Sequence, residues 1–366
     1  MTDAILACIS EGQLSLQGDG GEQILESPFG RSLRDRAVQI YNRHAWKTQG
    51  RGGQSLGRAL RTPEERDPSE FRIAITSVTR GTHPGELLYT LETNEISGMF
   101  SRDAGGIEKR LFHTADFRIR HLDAHPDGEE IATSVFLRDG MANLAVLKTD
   151  GSGLTEITDG DSVDEAPRWA PGPGRRLVYQ SSGMGRDTAG RFARRGAAAI
   201  QQLDLDTGEI RCLAQDEGFD FLSPRMAADG SLYYIRRPNL VNAPPPVSPW
   251  MALRHTVMLP FRIFWFVGFL IDLFVENKTG SPLFGISTKQ AGSSGPKVPD
   301  ASVLMRQSAA GPAKATALAH GVLAFDFATD GSVIYSDGLA VYRIPANSGH
   351  SAKILAGENI DCIAAL

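Results

Sequence analysis

A charged residue stands a few positions ahead of each of five turn glycines: Arg80 before Gly85, Asp123 before Gly128, Arg168 before Gly174, Arg225 before Gly230 and Asp326 before Gly331. Asp361, near the end of the chain, is the sixth of the series. If each sits on the same strand of a repeated unit, strand alternation sends all six toward one wall. Three guanidiniums facing three carboxylates have two uses. They can neutralise one another as a ring of salt bridges, because buried charges must be paired, or they can hold a small polar ligand. A metal is disfavoured, since the arginines compete for the carboxylates. No catalytic residue, metal or cofactor is assigned from these residues.

A second group lies between two strand-like stretches. The segment opens with NAPPPVSP, a polyproline-like arm, and continues through Trp250, Arg254, Phe261, Arg262, Phe264, Trp265, Phe266, Phe269, Leu270 and Phe274. Its uninterrupted apolar run, Ile263–Ile271, falls far short of the roughly twenty residues that span a bilayer. A helix over 250–276 carrying this aromatic payload has three possible settings: on a membrane surface, on a partner or a second copy of the chain, or as a lid over the protein itself. Arg186, Arg191, Arg194 and Arg195, in the loop 183–196, form a basic group suited either to solvent or to anionic headgroups.

Other patterns carry little chemistry. Gly53-Gln54-Ser55-Leu56-Gly57 fits G-x-S-x-G but lacks the flanking strand and helix of a nucleophile elbow. His121 and His125 have no matching Glu or Cys cluster and read as structural. The sequon at Asn277 has meaning only in a secreted chain. A net charge of -5 over 366 residues argues against nucleic acid as a partner. Three cysteines are too few for a disulfide framework and suit a reducing compartment. The N-terminal MTDAILACIS has no basic n-region, so no signal peptide is expected.

These residues need elements to position them. From Arg118 to Gly160 the chain reads as a four-stranded meander with Asp-Gly turns at 127–128, 139–140 and 150–151. Copies recur on both sides. The turn glycines keep a period in the low forties once the arginine loop and the long interruption are set aside. Four strands per repeat of that length is the pattern of a β-propeller.

The sequence therefore predicts an all-β, six-bladed propeller. Its blades lie at about 1–27 plus 358–366, 71–114, 117–159, 163–215, 219–238 plus 301–319, and 320–357. The C-terminal NIDCIAAL is expected to complete the first blade, and the hydrophobic helix is an insertion in the fifth. A further helix is expected after residue 27, with Ser32 as its cap and Leu33, Ala37, Ile40, Tyr41 and Ala45 at helical spacing.

SPRMAADG, APRWAPGPG and LDAHPDG resemble the P-x-W-S-P-D-G signature of TolB-like propellers, and KTDGSGLTEIT resembles that family's following strands. The resemblance implies the propeller fold. The chain shows neither the partner-binding N-terminal domain nor the signal peptide of periplasmic TolB, so a cell-envelope role is not expected to follow. In a propeller the insertions 28–69, 183–196 and 239–300 would all emerge on one face. The expected function is a non-catalytic binding or scaffold module, cytoplasmic and peripheral to the inner face of a membrane or membrane-associated complex. The alternative is an enzyme with a polar substrate at the channel mouth and the 239–300 insertion as lid.

Overall fold

A computed structural model describes residues 4–18, 20–44, 72–186, 190, 192–239, 301–309, 311, 315–346 and 350–366. The chain divides into two compact units. One comprises Met1–Val38, Asp67–Val241 and Gly295–Leu366, and the other Gln39–Arg66 and Asn242–Ser294. All the described strands belong to the first unit.

Three strands come first, β1 (Ala4–Ser10), β2 (Gln13–Gly18) and β3 (Gly21–Leu25), then helix α1 (Pro28–His44). The second group is β4 (Ile73–Arg80), β5 (Leu87–Thr93), β6 (Ser97–Arg102) and β7 (Glu108–Thr114). The third is β8 (Arg118–Ala124), β9 (Glu130–Phe136), β10 (Ala142–Lys148) and the short β11 (Thr155–Glu156). The fourth holds β12 (Ser162–Trp169), β13 (Arg176–Arg186), β14 (Phe192–Arg195), β15 (Ala199–Asp204) and β16 (Ile210–Ala214). The fifth is β17 (Phe219–Met226), β18 (Leu232–Pro238), β19 (Val303–Gln307) and β20 (Ala315–His320). The last is β21 (Ala324–Phe327), β22 (Val333–Ser336), β23 (Ala340–Ile344) and β24 (Ala352–Ala356), followed by β25 (Ile360–Ala365).

Each group is an antiparallel meander of sequential strands. A single parallel pairing, Ala142 with Val163, links the third group to the fourth. β1 also pairs antiparallel with β25, placing Leu6 opposite Ala365 and Cys8 opposite Ile363, so the last strand lies beside the first. Cys362 stands opposite Ile9 in the same ladder. Neighbouring positions point to opposite faces, so Cys8 packs with Ile334 and Ile363 while Cys362 packs with Ile9 and Leu14. The two thiols are therefore not placed for a disulfide. Burial raises Cys8 to about 12 and Cys362 to about 11, which keeps both protonated and inert.

The apolar cores lie between consecutive sheets. Ile9 and Leu14 meet Val78, Tyr89 and Leu91. Leu88 and Met99 meet Ile119, Leu122 and Ile131. Ala132 and Val146 meet Trp169 and Leu177. Ile200 meets Phe221 and Tyr234. Tyr233 and Leu304 meet Phe325 and Tyr335. Finally, Ile334 and Val341 meet Leu6, Cys8 and Ile363, which joins the last sheet to the first.

Two local features differ from the sequence expectation. α1 begins earlier than a Ser32 cap implies. Ser27 Oγ accepts from the Gly30 N–H at 3.1 Å, its carbonyl accepts from Arg31 at 2.9 Å, and Pro28 occupies the first helical position, where its missing N–H costs nothing. Ser32 falls inside the helix. The loop 183–196 also holds regular structure, because β13 overshoots its sheet and β14 folds back on it, with Met184 opposite Arg195. Among the described residues no helix is long and apolar enough to cross a membrane.

Candidate functional site: the central cavity

The first strands of the second to sixth groups, together with β25, converge on a cavity of about 440 Å³. Its wall includes Ser77 from β4, His121 from β8, Arg168 from β12, Arg225 from β17, Ala324 from β21, and Asp361 and Cys362 from β25. The β1–β2 turn contributes Glu11 and Gly12.

The structure brings four of the six sequence-derived charges into pairs. Arg168 reaches Asp123 at 3.1 Å and donates to the Leu122 carbonyl at 2.7 Å, while the other Asp123 oxygen accepts from the Trp169 N–H at 2.8 Å. Arg225 meets Asp326 at 2.8 Å, and Asp326 accepts in turn from the Ala365 N–H at 3.0 Å. Both pairs join first strands of different groups and are largely buried. Arg80 joins neither pair and donates to the Ala365 carbonyl at 2.9 Å, again tying β4 to β25. Asp361 lines the cavity and is itself exposed there; the protein packed around it disfavours its charged form and raises its carboxyl above the ordinary range.

Sequence reasoning missed a second network in the same wall. At His121, Ala166 and Ser223 the strands bulge and the backbone turns left-handed, with φ of 58°, 53° and 51°. Such angles are strained for residues other than glycine. Hydrogen bonds between sheets offset that strain. Ser77 Oγ accepts from the Leu122 N–H at 3.0 Å, Ser134 Oγ accepts from Ala166 at 3.2 Å, and Gln180 Oε1 accepts from Ser223 at 2.8 Å. The one available signal was the repeated A-P-R and S-P-R at Ala166–Arg168 and Ser223–Arg225, in which the bulged residue precedes proline.

His121 belongs to this network. Its Nδ1 accepts from the Ala166 N–H at 3.3 Å, and burial holds its pKa down to about 4. The ring is therefore neutral at pH 7 and an acceptor at Nδ1. Between about pH 6.5 and 4 the unfolded chain binds a proton here that the folded chain refuses, so stability falls as pH falls through that window. Urea titrations at about pH 7, 5.5 and 4.5 should show this loss, with a smaller loss in His121→Gln. His125 is held by Asp127 at 2.7 Å and lies edge-on to Trp169 at 4.6 Å, a turn-anchoring role.

Of the basic group, Arg186 binds Asp161 through Nε at 2.9 Å and Nη2 at 2.6 Å. Arg195 pairs with Glu165 at 2.7 Å, and Arg194 is exposed and has a partner of its own. Arg191, Trp250, Arg254, Phe261, Arg262, Phe264, Trp265, Phe266, Phe269, Leu270 and Phe274 lie outside the described residues, as do Ala45, Ser55 and the Asn277 sequon. Among the described residues no cluster of His, Cys, Asp and Glu is arranged to hold a metal.

No family model matches the chain, and no curated protein matches it. Solved structures do. A chain from the crystal structure of a nidogen–laminin complex aligns over 99% of this chain and 98% of its own length, with a TM-score of 0.56 at 11% identity. TolB from Acinetobacter baumannii aligns over 99% of this chain and 66% of its own, with a TM-score of 0.54 at 12% identity. The fold is a TolB-like β-propeller. At these identities the likeness concerns the fold alone, and fold does not fix function. The paired Arg168–Asp123 and Arg225–Asp326 each join the first strands of two different groups beside the cavity.

Proposed function

We propose that the six sheets are the blades of one ring, clasped where β25 completes the blade of β1, and that the ring is a non-catalytic binding or scaffold module. Apolar cores between every consecutive pair of sheets, including last with first, support the ring. The observation that carries the scaffold role is the commitment of the channel charges: Arg80, Asp123, Arg168, Arg225 and Asp326 all hold one innermost strand to another. Docking to a membrane surface or a membrane-associated protein falls to the aromatic residues between 250 and 276, which would seek an apolar surface wherever they fold. The site of action would be the inner face of a membrane, and self-association through the same segment is the competing use.

The test is deletion of residues 244–298. β18 and β19 pair directly, Leu232 with Gln307 through Arg236 with Val303, so the shortened loop still closes a hairpin. The expected result is a protein with unchanged far-UV circular dichroism that no longer floats with anionic liposomes or co-purifies with membranes. If the full-length protein shows neither association, the docking reading fails.

One observation favours a second reading. Asp361 faces the cavity with a raised carboxyl, as a general acid would. An enzyme with 239–300 as lid would lose turnover on that deletion while its solubility stayed the same.

A further inference from the structure

Away from the channel axis, a cleft of about 330 Å³ lies between the fourth sheet with its β14 ribbon and the fifth sheet. Glu165, Gln180, Ser182, Arg195, Asp220 and Arg237 line it. Its formal charge is balanced, yet its hydrogen-bonding capacity is not. Asp220 Oδ1 accepts from the Ala198 N–H at 3.1 Å and from Asn239 at 2.9 Å, and Oδ2 accepts from Arg237 Nε at 3.2 Å. Glu165 Oε2 accepts from both Gln180 at 2.9 Å and Arg195 at 2.7 Å. Asp220 is thus engaged at both oxygens, and Glu165 through Oε2.

The donors are less fully engaged. Among the described residues, Arg195 gives only an Nη2 hydrogen bond and Arg237 only its Nε, whereas a guanidinium carries five N–H groups in a fixed fork. Both side chains line the cleft and are partly exposed, at 39% and 45%. The same cleft holds Ser182, 1% exposed, whose hydroxyl has no hydrogen-bond partner among the described residues. A buried unsatisfied hydroxyl is destabilising, so something polar is expected to meet it. The cleft exceeds the roughly 30 Å³ share of one water many times over. β13 and β14 extend beyond their sheet and thereby carry Arg195 to the cleft.

We propose that this cleft binds a small monocarboxylate bearing a second hydrogen-bonding group. The carboxylate occupies the guanidinium edges of Arg195 and Arg237 that no described residue takes, and the second group meets Ser182 Oγ. A single negative charge suits a wall of two cations and two anions better than a dianionic phosphate does. The site is independent of the proposed membrane docking.

Isothermal titration of the full-length protein with acetate, L-lactate, L-serine and inorganic phosphate tests it. L-lactate or L-serine should bind one to one, about tenfold or more tighter than acetate or phosphate, the gain of one satisfied hydrogen bond. Ser182→Ala should remove that advantage while leaving the unfolding midpoint of the free protein unchanged or raised. Arg195→Gln should abolish binding. Saturable binding by none of the three carboxylates overturns the proposal. So does phosphate binding as tight as that of the hydroxy or amino acid, or an affinity that Ser182→Ala leaves intact.

Discussion

Asp326→Ala is expected to lower the unfolding free energy by about 3–5 kcal/mol, the usual consequence of removing one partner from a buried ion pair. The Arg225 side chain is 15% exposed and that of Asp326 11%, so the guanidinium left behind has little water to turn to. Burial already disfavours its charged form. The substitution also orphans the Ala365 N–H, which donates to Asp326 from the strand beside β1. The loss therefore strikes two joints at once, β17 to β21 and β21 to β25. Urea denaturation measures it as a fall in midpoint at constant slope. The double variant Arg225→Met, Asp326→Leu should recover most of the loss, since apolar replacement of a buried pair is often neutral. If Asp326→Ala alone shifts the midpoint by less than the equivalent of about 1 kcal/mol, the pair behaves like an exposed one and water reaches it from the cavity.

Gly151→Ala is the second large effect. The residue is buried, its φ is +89°, and a Cβ would collide with the Leu111 carbonyl oxygen on the neighbouring sheet. Left-handed backbone costs roughly 1–2 kcal/mol for alanine, and a forced contact with fixed backbone adds about 1–3 kcal/mol. Gly140 provides the control. It has a φ of +92° with nothing within 4 Å of a built Cβ, so Gly140→Ala should show the backbone effect alone. Thermal unfolding of the two variants separates the contributions. Equal destabilisation would mean that the turn at 150–151 does not press on Leu111.

The same pair of glycines shows how far the sequence could be read. Asp139-Gly140 and Asp150-Gly151 look alike as dipeptides, and both are turns with positive φ. Turn chemistry is local and legible. That one of them rests against a carbonyl some forty residues earlier is set by how two sheets pack, which no dipeptide encodes. The helix after residue 27 was legible as an amphipathic run, but Ser27-Pro28 decided its start, a stronger cap and first-turn combination than Ser32.

By itself, the sequence determined the all-β repeat, its period, the turns and the set of residues on each first strand. Those follow from periodicity-two alternation and from residues that favour tight turns, both properties of a few neighbouring positions. Only the tertiary structure decided that Arg168 takes Asp123, that Arg225 takes Asp326 about a hundred residues away, and that Arg80 turns to a backbone carbonyl. It also decided that Asp361 opens into the cavity and that Ser182, among the described residues, has no hydrogen-bond partner in its cleft. Sequence spacing places a charge on a wall. Which opposite charge it meets depends on the register between sheets and on the bulges at His121, Ala166 and Ser223, whose left-handed residues shift each inner strand relative to its neighbour.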